Sequence, residues 1–566
     1  MDELHDERIF YNGVIHTADA ALPAASVLAV KDGRIVYAGR SRKDGSALLG
    51  RGAEQVDLGG RAVLPGLIDS HQHFMLQGQR LSEIDILLRP KEEILRLVAR
   101  EAGRLRPGEW LLGRGWNHEV WPDGQWPDKT ELDKAAPDNP VALTRLDGHS
   151  VWVNSRALRE AGFDRNTPDI PGGEIVRDPD GEPRGILVDA ASFKLRNVIP
   201  PLDRASRQRA FLLAQAEMFR HGITSVGDAW QFPDDQALLR DLYAAGEMRI
   251  RMYGMLASRT EGRHLTRVEA VPARDLFGGR LSFAAFKIVL DGSLGSRSAW
   301  LTEDYADRPG HRGNHRYDDE ELLEVARSAV AGGFQLCLHG IGDAAVLQAL
   351  DVLERLRREG AGTWLPHRIE HFQIAAPEAA ARAVALGVIP AMQTIHAAAD
   401  RAMAEKRLNP KLFRYAYPWR PVLDSGGILA NGSDSPMDGV NPFHGFHAAI
   451  TRPPTLSGGA PPARAGMTRE ETLQSYTTWA ARAEMAEGFK GSLAPGKAAD
   501  FIVLDRDIMA CPEDAIRDAR VLTTVLAGET VYGGTEYAGA VYGGPVDGET
   551  PESSPLSGSA FSGDRP

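Results

Sequence analysis

The sequence predicts an α/β protein: a (β/α)8 TIM-like barrel, a small β-sandwich domain formed from both chain ends, and an insertion after the first barrel strand. Three observations carry this. Eight short apolar runs recur with helical stretches between them, the alternation that βα units and a parallel sheet produce. Short β-rich runs broken by Asn-Gly and Asp-Gly turns open the chain, and the same texture returns near its end. The gap between the first two apolar runs, from about His73 to about Gly222, is far too long for one crossover helix.

Taken in order, IFYNGVIHTADA and SVLAVKDGRIVYAGR begin a small sheet over residues 1–62. The barrel is expected over residues 63–490, with candidate strands RAVLPGLIDSH, GITSVGDAW, MRIRMYGM, LSFAAFKIVLD, GFQLCLHG, PHRIEHF, GVIPAMQT and GILANGSD. Eight is the count a closed barrel needs. The insertion spans about 76–205, and its Trp-rich middle, with several Pro and Gly breakers, reads as an irregular lid or pocket wall. GSLAPGKAADFIVLDRD and RVLTTVLAGETVYGG, within residues 491–543, complete the terminal β-domain, and residues 544–566, rich in Pro, Ser and Gly, read as a disordered tail.

At 566 residues the chain can bury a sizeable core, and 43% hydrophobic with 25% charged residues is ordinary globular composition. A net charge of -12 argues against nucleic acid as a partner, because that affinity rests on clustered Lys and Arg. Cys337 and Cys511 are too few for a disulfide framework or a Cys-based zinc cluster, so any metal rests on His and carboxylates. The acidic N-terminus lacks a signal pattern and no apolar stretch is long enough to span a bilayer, so no membrane association and a cytoplasmic location are expected.

The sharpest local signal is His71-Gln72-His73, since residues i and i+2 of a strand point to one side and can ligate one ion together. Its bland reading is two ordinary, partly exposed histidines. Lys287, His339, His371 and Asp434 each fall at or near the C-terminal end of an apolar run, the face where barrel enzymes place their active sites. An ammonium inside an apolar strand is expensive. Lys287 therefore either pairs with a carboxylate such as Asp291, or is held neutral and carboxylated as a carbamate that bridges two cations. His339 and His371 are neutral-imidazole donors of the kind zinc, manganese or nickel sites use, against the alternative of satisfied core histidines. Asp434 in LANGSDSPM reads either as a turn or N-cap residue, or as a metal ligand that also accepts a proton from bound water, whose pKa on zinc falls to roughly 7.

At these residues the chain resembles the amidohydrolase superfamily, in particular the amidohydrolase-3 branch that includes N-substituted formamide deformylase. The resemblance runs through LPGLIDSHQHF, GWNHEVW, DGHSVWVN, FKIVLDGSLGSRSA, LHGIGD, RIEHFQ, MQTIHAAAD, NGSDSP and GSLAPGKAADFIVLD. It implies one or two divalent ions, with zinc the expected metal. His71, His73 and Asp434 would hold the more buried ion, Lys287 as a carbamate would bridge, and His339 with His371 would hold the second. It also implies that Asp434 is the catalytic general base and later the proton donor to the leaving amine. His149, Arg297, His396 and Asp400 match positions where the branch keeps polar residues and are expected to bind substrate, and Trp116 and Trp121 to supply an apolar wall. Thr394 departs from the pattern, which has proline after MQ.

The expected activity is hydrolysis of a non-peptide carbon-nitrogen bond, such as that of an N-formyl or N-acyl amine, in a small-molecule amide substrate. An N-heterocycle deaminase or cyclic-amide hydrolase would use the same ligands, and a catalytically silent binding protein would keep the scaffold. The silent reading is disfavoured by the full His-x-His, Lys, His, His, Asp set. A homodimer would fit the family.

Overall fold

A computed structural model describes residues 7–534, apart from 147–148, 171, 258, 261–262, 265–267, 269 and 453–464. The tail expected over 544–566 lies outside the described residues. The chain forms two compact units, one of Met75–Ala214 and one that comprises the rest.

In the larger unit, eight parallel strands lie in sequence order: β1 (Leu67–Gln72), β2 (Ile223–Gln231), β3 (Arg251–Ala257), β4 (Leu281–Val289), β5 (Gln335–Gly340), β6 (Arg368–His371), β7 (Ile389–Met392) and β8 (Ala430–Asn431). Each overlaps one of the eight apolar runs, and β1, β2 and β3 extend one or two residues past theirs. Side chains fill the barrel and helices cover its outside, which is why β1 and β6 are buried along their whole length and cannot show the alternation of a half-exposed strand. The helix Asp319–Ala331, for example, buries Leu322, Leu323, Val325, Ala326, Ala329 and Val330, a stripe at helical spacing. Past β8 and β1 the barrel is closed by two backbone bonds, Asp434 N–H to His71 O and His73 N–H to Ser435 O, each 2.8 Å.

The first apolar run serves two sheets. Ala62–Pro65 pairs antiparallel with Phe501–Leu504, and after Gly66 the chain enters the barrel as β1. A Cβ on Gly66 would stand 2.3 Å from Thr224 Oγ1, so only glycine permits the crossing against β2. The strand Ala62–Pro65 belongs to a single eight-stranded sheet built from both ends of the chain. Phe10, Leu28, Ile35, Val63, Phe501 and Val525 of this sheet share one core. The terminal sheet and the barrel lie in the same compact unit, joined by the fully buried pair of Arg251 at the start of β3 with Asp500, at 2.6 and 2.9 Å.

The Met75–Ala214 unit has its own six-stranded sheet, in the order Gly173–Arg177, Pro183–Asp189, Ser150–Val153, Val141–Arg145, Leu111–Trp116, Ile84–Asp85. The Trp-rich stretch read as irregular from its Pro and Gly content is therefore ordered structure. Trp116, Trp121 and Trp152 are buried in one cluster with Ile94, Val98 and Leu132, and burying such large side chains outweighs local breaker propensity. No helix among the described residues is long and apolar enough to cross a membrane.

Candidate metal centre

Six side chains from five strand ends converge at the C-terminal mouth of the barrel. The i, i+2 spacing on β1 turns His71 and His73 to one side, and one donor atom each from His71, His73 and Asp434 lie within 4.8 Å of one another. Asp434 Oδ1 is 3.3 Å from His73 Nε2 and 3.5 Å from His71 Nε2, and Lys287 Nζ is 3.5 Å from the same His71 nitrogen. The His371 ring centre lies 4.8 Å from that of His71 and 4.3 Å from that of His339. All six residues predicted as ligands thus form one contiguous cluster.

Three polar atoms here, Asp434 Oδ1, His73 Nδ1 and His339 Nε2, are buried without a hydrogen-bond partner. A buried unsatisfied group costs about 1–3 kcal/mol. Coordination to a cation removes that cost at ligand atoms, and a donor set of imidazoles with a carboxylate suits zinc, manganese or nickel. The residues fit a divalent ion.

The electrostatics favour the ligating protonation states. Burial, reinforced by the Lys287 charge, pushes His71 down to about 4, and burial with neighbouring groups holds His339 and His371 well below the usual imidazole range. Neutral imidazoles are the form that binds metal. Burial likewise lowers Lys287. For Asp434 burial acts upward, but nearby His73 and the surrounding imidazoles hold it well below the usual carboxylate range.

The backbone is shaped to deliver these groups. His371 and Asp434 have φ of 69° and 58°, a left-handed conformation that side-chain-bearing residues enter only when the surroundings impose it. At Asp434 the constraint is visible. Ser433 donates through N–H and Oγ to buried Asp69, at 3.0 and 2.5 Å, and Gly432 lies so close to β1 that a Cβ would stand 2.6 Å from His71 N.

Sequence reasoning missed the residues that hold the candidate ligands. Glu370, wholly buried on β6, hydrogen-bonds His71 Nδ1 and is clamped by wholly buried Arg368. Gln393 Oε1 is 2.8 Å from His371 Nδ1. Asp291 accepts the backbone N–H groups of Trp300, Ile341 and Gly342 and lies 3.4 Å from His339 Nε2; the contact found at Lys287 is with His71. Two charged residues at alternate positions of the four-residue strand RIEH were the available signal, since charge inside a barrel strand has to be paired.

The residues expected to bind substrate separate. His396 is buried, its ring lies parallel to that of His371 with centres 6.5 Å apart, and its Nε2 is 3.6 Å from Asp438. Asp400, four residues on, is raised by burial and lowered by His396. Arg297 is forked onto Asp307 at 3.1 and 2.8 Å. His149 belongs to the Met75–Ala214 unit, where it is exposed and bonded to Asp189 at 2.7 Å. Trp116 and Trp121 are corrected: both are core residues, with indole N–H groups donated to Leu143 O and Arg89 O. A side chain used to fill a core offers no surface to substrate. Thr394 uses what proline lacks, a backbone N–H that donates to Asn431 Oδ1 at 3.2 Å, and its hydroxyl donates to Gly445 O at 2.8 Å, tying the end of β7 to β8 and the helix beyond.

A family model described as the amidohydrolase family matches residues 54–532. The chain belongs to the amidohydrolase family. Among curated relatives of this amidohydrolase-family chain, it is 33% identical to Protein LONG AFTER FAR-RED 3 of Arabidopsis thaliana, over 92% of this chain and 91% of that one. It is 29% identical to the putative amidohydrolase YtcJ of Bacillus subtilis (93% and 99%) and 30% identical to N-substituted formamide deformylase of Arthrobacter pascens (94% and 99%). The crystal structure of an uncharacterized metal-dependent hydrolase from Pyrococcus furiosus superposes with a TM-score of 0.72 at 27% identity, over 89% of this chain and 100% of that chain.

Proposed function

We propose that the chain is a metal-dependent hydrolase that cleaves a non-peptide carbon-nitrogen bond, with an N-formyl or N-acyl amine as substrate. The observation that carries this reading is the cluster of His71, His73 and Asp434 with unpartnered buried donor atoms at the barrel mouth. The likeness to N-substituted formamide deformylase over 94% of the chain supports the amide as the bond cleaved.

In this reading His71, His73 and Asp434 would hold one divalent ion, and His339 with His371 would hold a second. Lys287, whose charged amine burial disfavours, would serve as the shared ligand in its carbamate form. When bound, the metal supplies a hydroxide nucleophile and a Lewis acid for the carbonyl. Asp434, a carboxylate touching His71 and His73, accepts the proton of the attacking water and returns it to the leaving amine. His396, which starts the short helix after β7 and lies beside His371, and Asp400 at the end of that helix contact the substrate. Zinc is the expected ion.

The test is turnover of a panel of N-formyl and N-acyl amines by zinc-loaded protein, following amine and carboxylate release. Amine with formate or acid in equal amounts supports the reading. Ammonia release from N-heterocycles, with the amides untouched, replaces it with a deaminase.

A further inference from the structure

We infer that Glu370, clamped by Arg368, is a positioning residue that fixes His71 in its Nδ1–H tautomer and so leaves Nε2 bare toward the metal position. This rests on the proposed metal centre for its purpose, though not for its geometry. His71, Glu370 and Arg368 are each 0% exposed, so bulk solvent does not reach the imidazole and its protein partners bias the tautomer.

The two ring nitrogens of His71 face different surroundings. Nδ1 meets Glu370 Oε2, while Nε2 is 3.5 Å from both Lys287 Nζ and Asp434 Oδ1, on the side of the ligand cluster. A carboxylate has only acceptor sites, so the proton on a neutral imidazole beside it belongs on the facing nitrogen. Glu370 is held as a carboxylate by the Arg368 guanidinium, whose Nη2 donates to Oε2 at 2.9 Å and whose Nε lies 2.8 Å from Oε1 as an ion pair. Arg368 is anchored in turn by donation to Ser70 O at 2.8 Å, the residue before His71. Arg368, Glu370 and His71 therefore form a closed loop from β6 to β1, and the β1 backbone that carries the ligand also holds the arginine that orients the ligand's partner. A ligating histidine whose second nitrogen is held in this way has a fixed ring orientation and a more basic metal-binding nitrogen.

Glu370→Gln is the discriminating variant. A glutamine amide can accept a proton or donate one, so it no longer selects a tautomer, and its loss of charge frees Arg368. Two measurements test the assignment. The first is 15N chemical shifts of the metal-free full chain labelled at histidine, with His71 assigned by the resonances lost in His71→Asn. Wild type is expected to show a protonated Nδ1 and a bare Nε2 at His71. A protonated Nε2 overturns the inference and leaves the proposed hydrolase standing, and this arm needs no variant of Glu370 to fold. The second is zinc affinity by competition with a chromophoric chelator, with circular dichroism as the check on folding. Folded Glu370→Gln is expected to bind zinc 10–100-fold more weakly, and a change of less than threefold overturns the positioning role. Wild type that binds no zinc while showing the Nδ1–H tautomer contradicts the proposed metal function and leaves the tautomer assignment intact.

Discussion

The backbone N–H of Asp434 donates to the carbonyl of His71 at 2.8 Å, so the proposed base and the first candidate ligand are held together across the seam where β8 meets β1. Asp434→Asn keeps this backbone bond and the shape of the side chain but cannot accept a proton. Amide hydrolysis is expected to fall by about 10²–10⁴-fold with the far-ultraviolet spectrum unchanged. Full activity in the variant would remove Asp434 from the chemistry.

The same seam depends on Gly432, where a Cβ would meet His71 N at 2.6 Å and Asp69 Oδ1 at 2.9 Å. Both contacts are to groups that cannot move freely. Gly432→Ala is expected to lower stability by about 1–3 kcal/mol, the usual range for overpacking, and to weaken metal binding because His71 and Asp434 are pushed apart. Denaturant unfolding and metal titration check the two effects together.

Trp116 gives a prediction of the opposite kind. It is wholly buried, packed against Trp121 and Trp152, with its N–H satisfied. Trp116→Ala is expected to cost about 3–5 kcal/mol of stability and to leave KM near wild type in the protein that remains folded. A large KM change without a loss of stability would return Trp116 to the pocket wall.

The contrast between Trp116 and the ligands shows what the sequence could carry. All eight barrel strands and the gathering of six polar residues at their ends were legible, because a buried parallel strand is a continuous apolar run and these residues sit at or near its end. Glu370 and Arg368 lie in the strand RIEH, but their partners, His71 and Ser70, are about 300 positions away, and nothing local encodes that pairing. The Trp-rich insertion was misread for the reverse reason. Its Pro and Gly breakers are local signals, and the core that overrides them is assembled from residues as distant as Ile94 and Ile186.

His367 links structure to pH. It is wholly buried, its Nδ1 accepts the Leu336 N–H at 3.0 Å, and burial pushes it down to about 4. The native state resists a proton that the unfolded chain takes up near its ordinary value of about 6.5. The stabilisation is therefore complete above about pH 6.5 and is lost as pH falls through about 4, a change on the order of 3 kcal/mol. His367→Asn keeps an acceptor for Leu336 but does not titrate. Its unfolding free energy is expected to fall less steeply than that of wild type between pH 7 and pH 4, and equal slopes would contradict the assignment.

Metal content tests the central claim most directly. Elemental analysis of purified wild type and His71→Ala, with amide hydrolysis measured on the same samples, is expected to find one or two equivalents of a divalent ion in wild type, and the ion and the activity lost together in the variant. Wild-type protein that hydrolyses amides while free of metal would contradict the account.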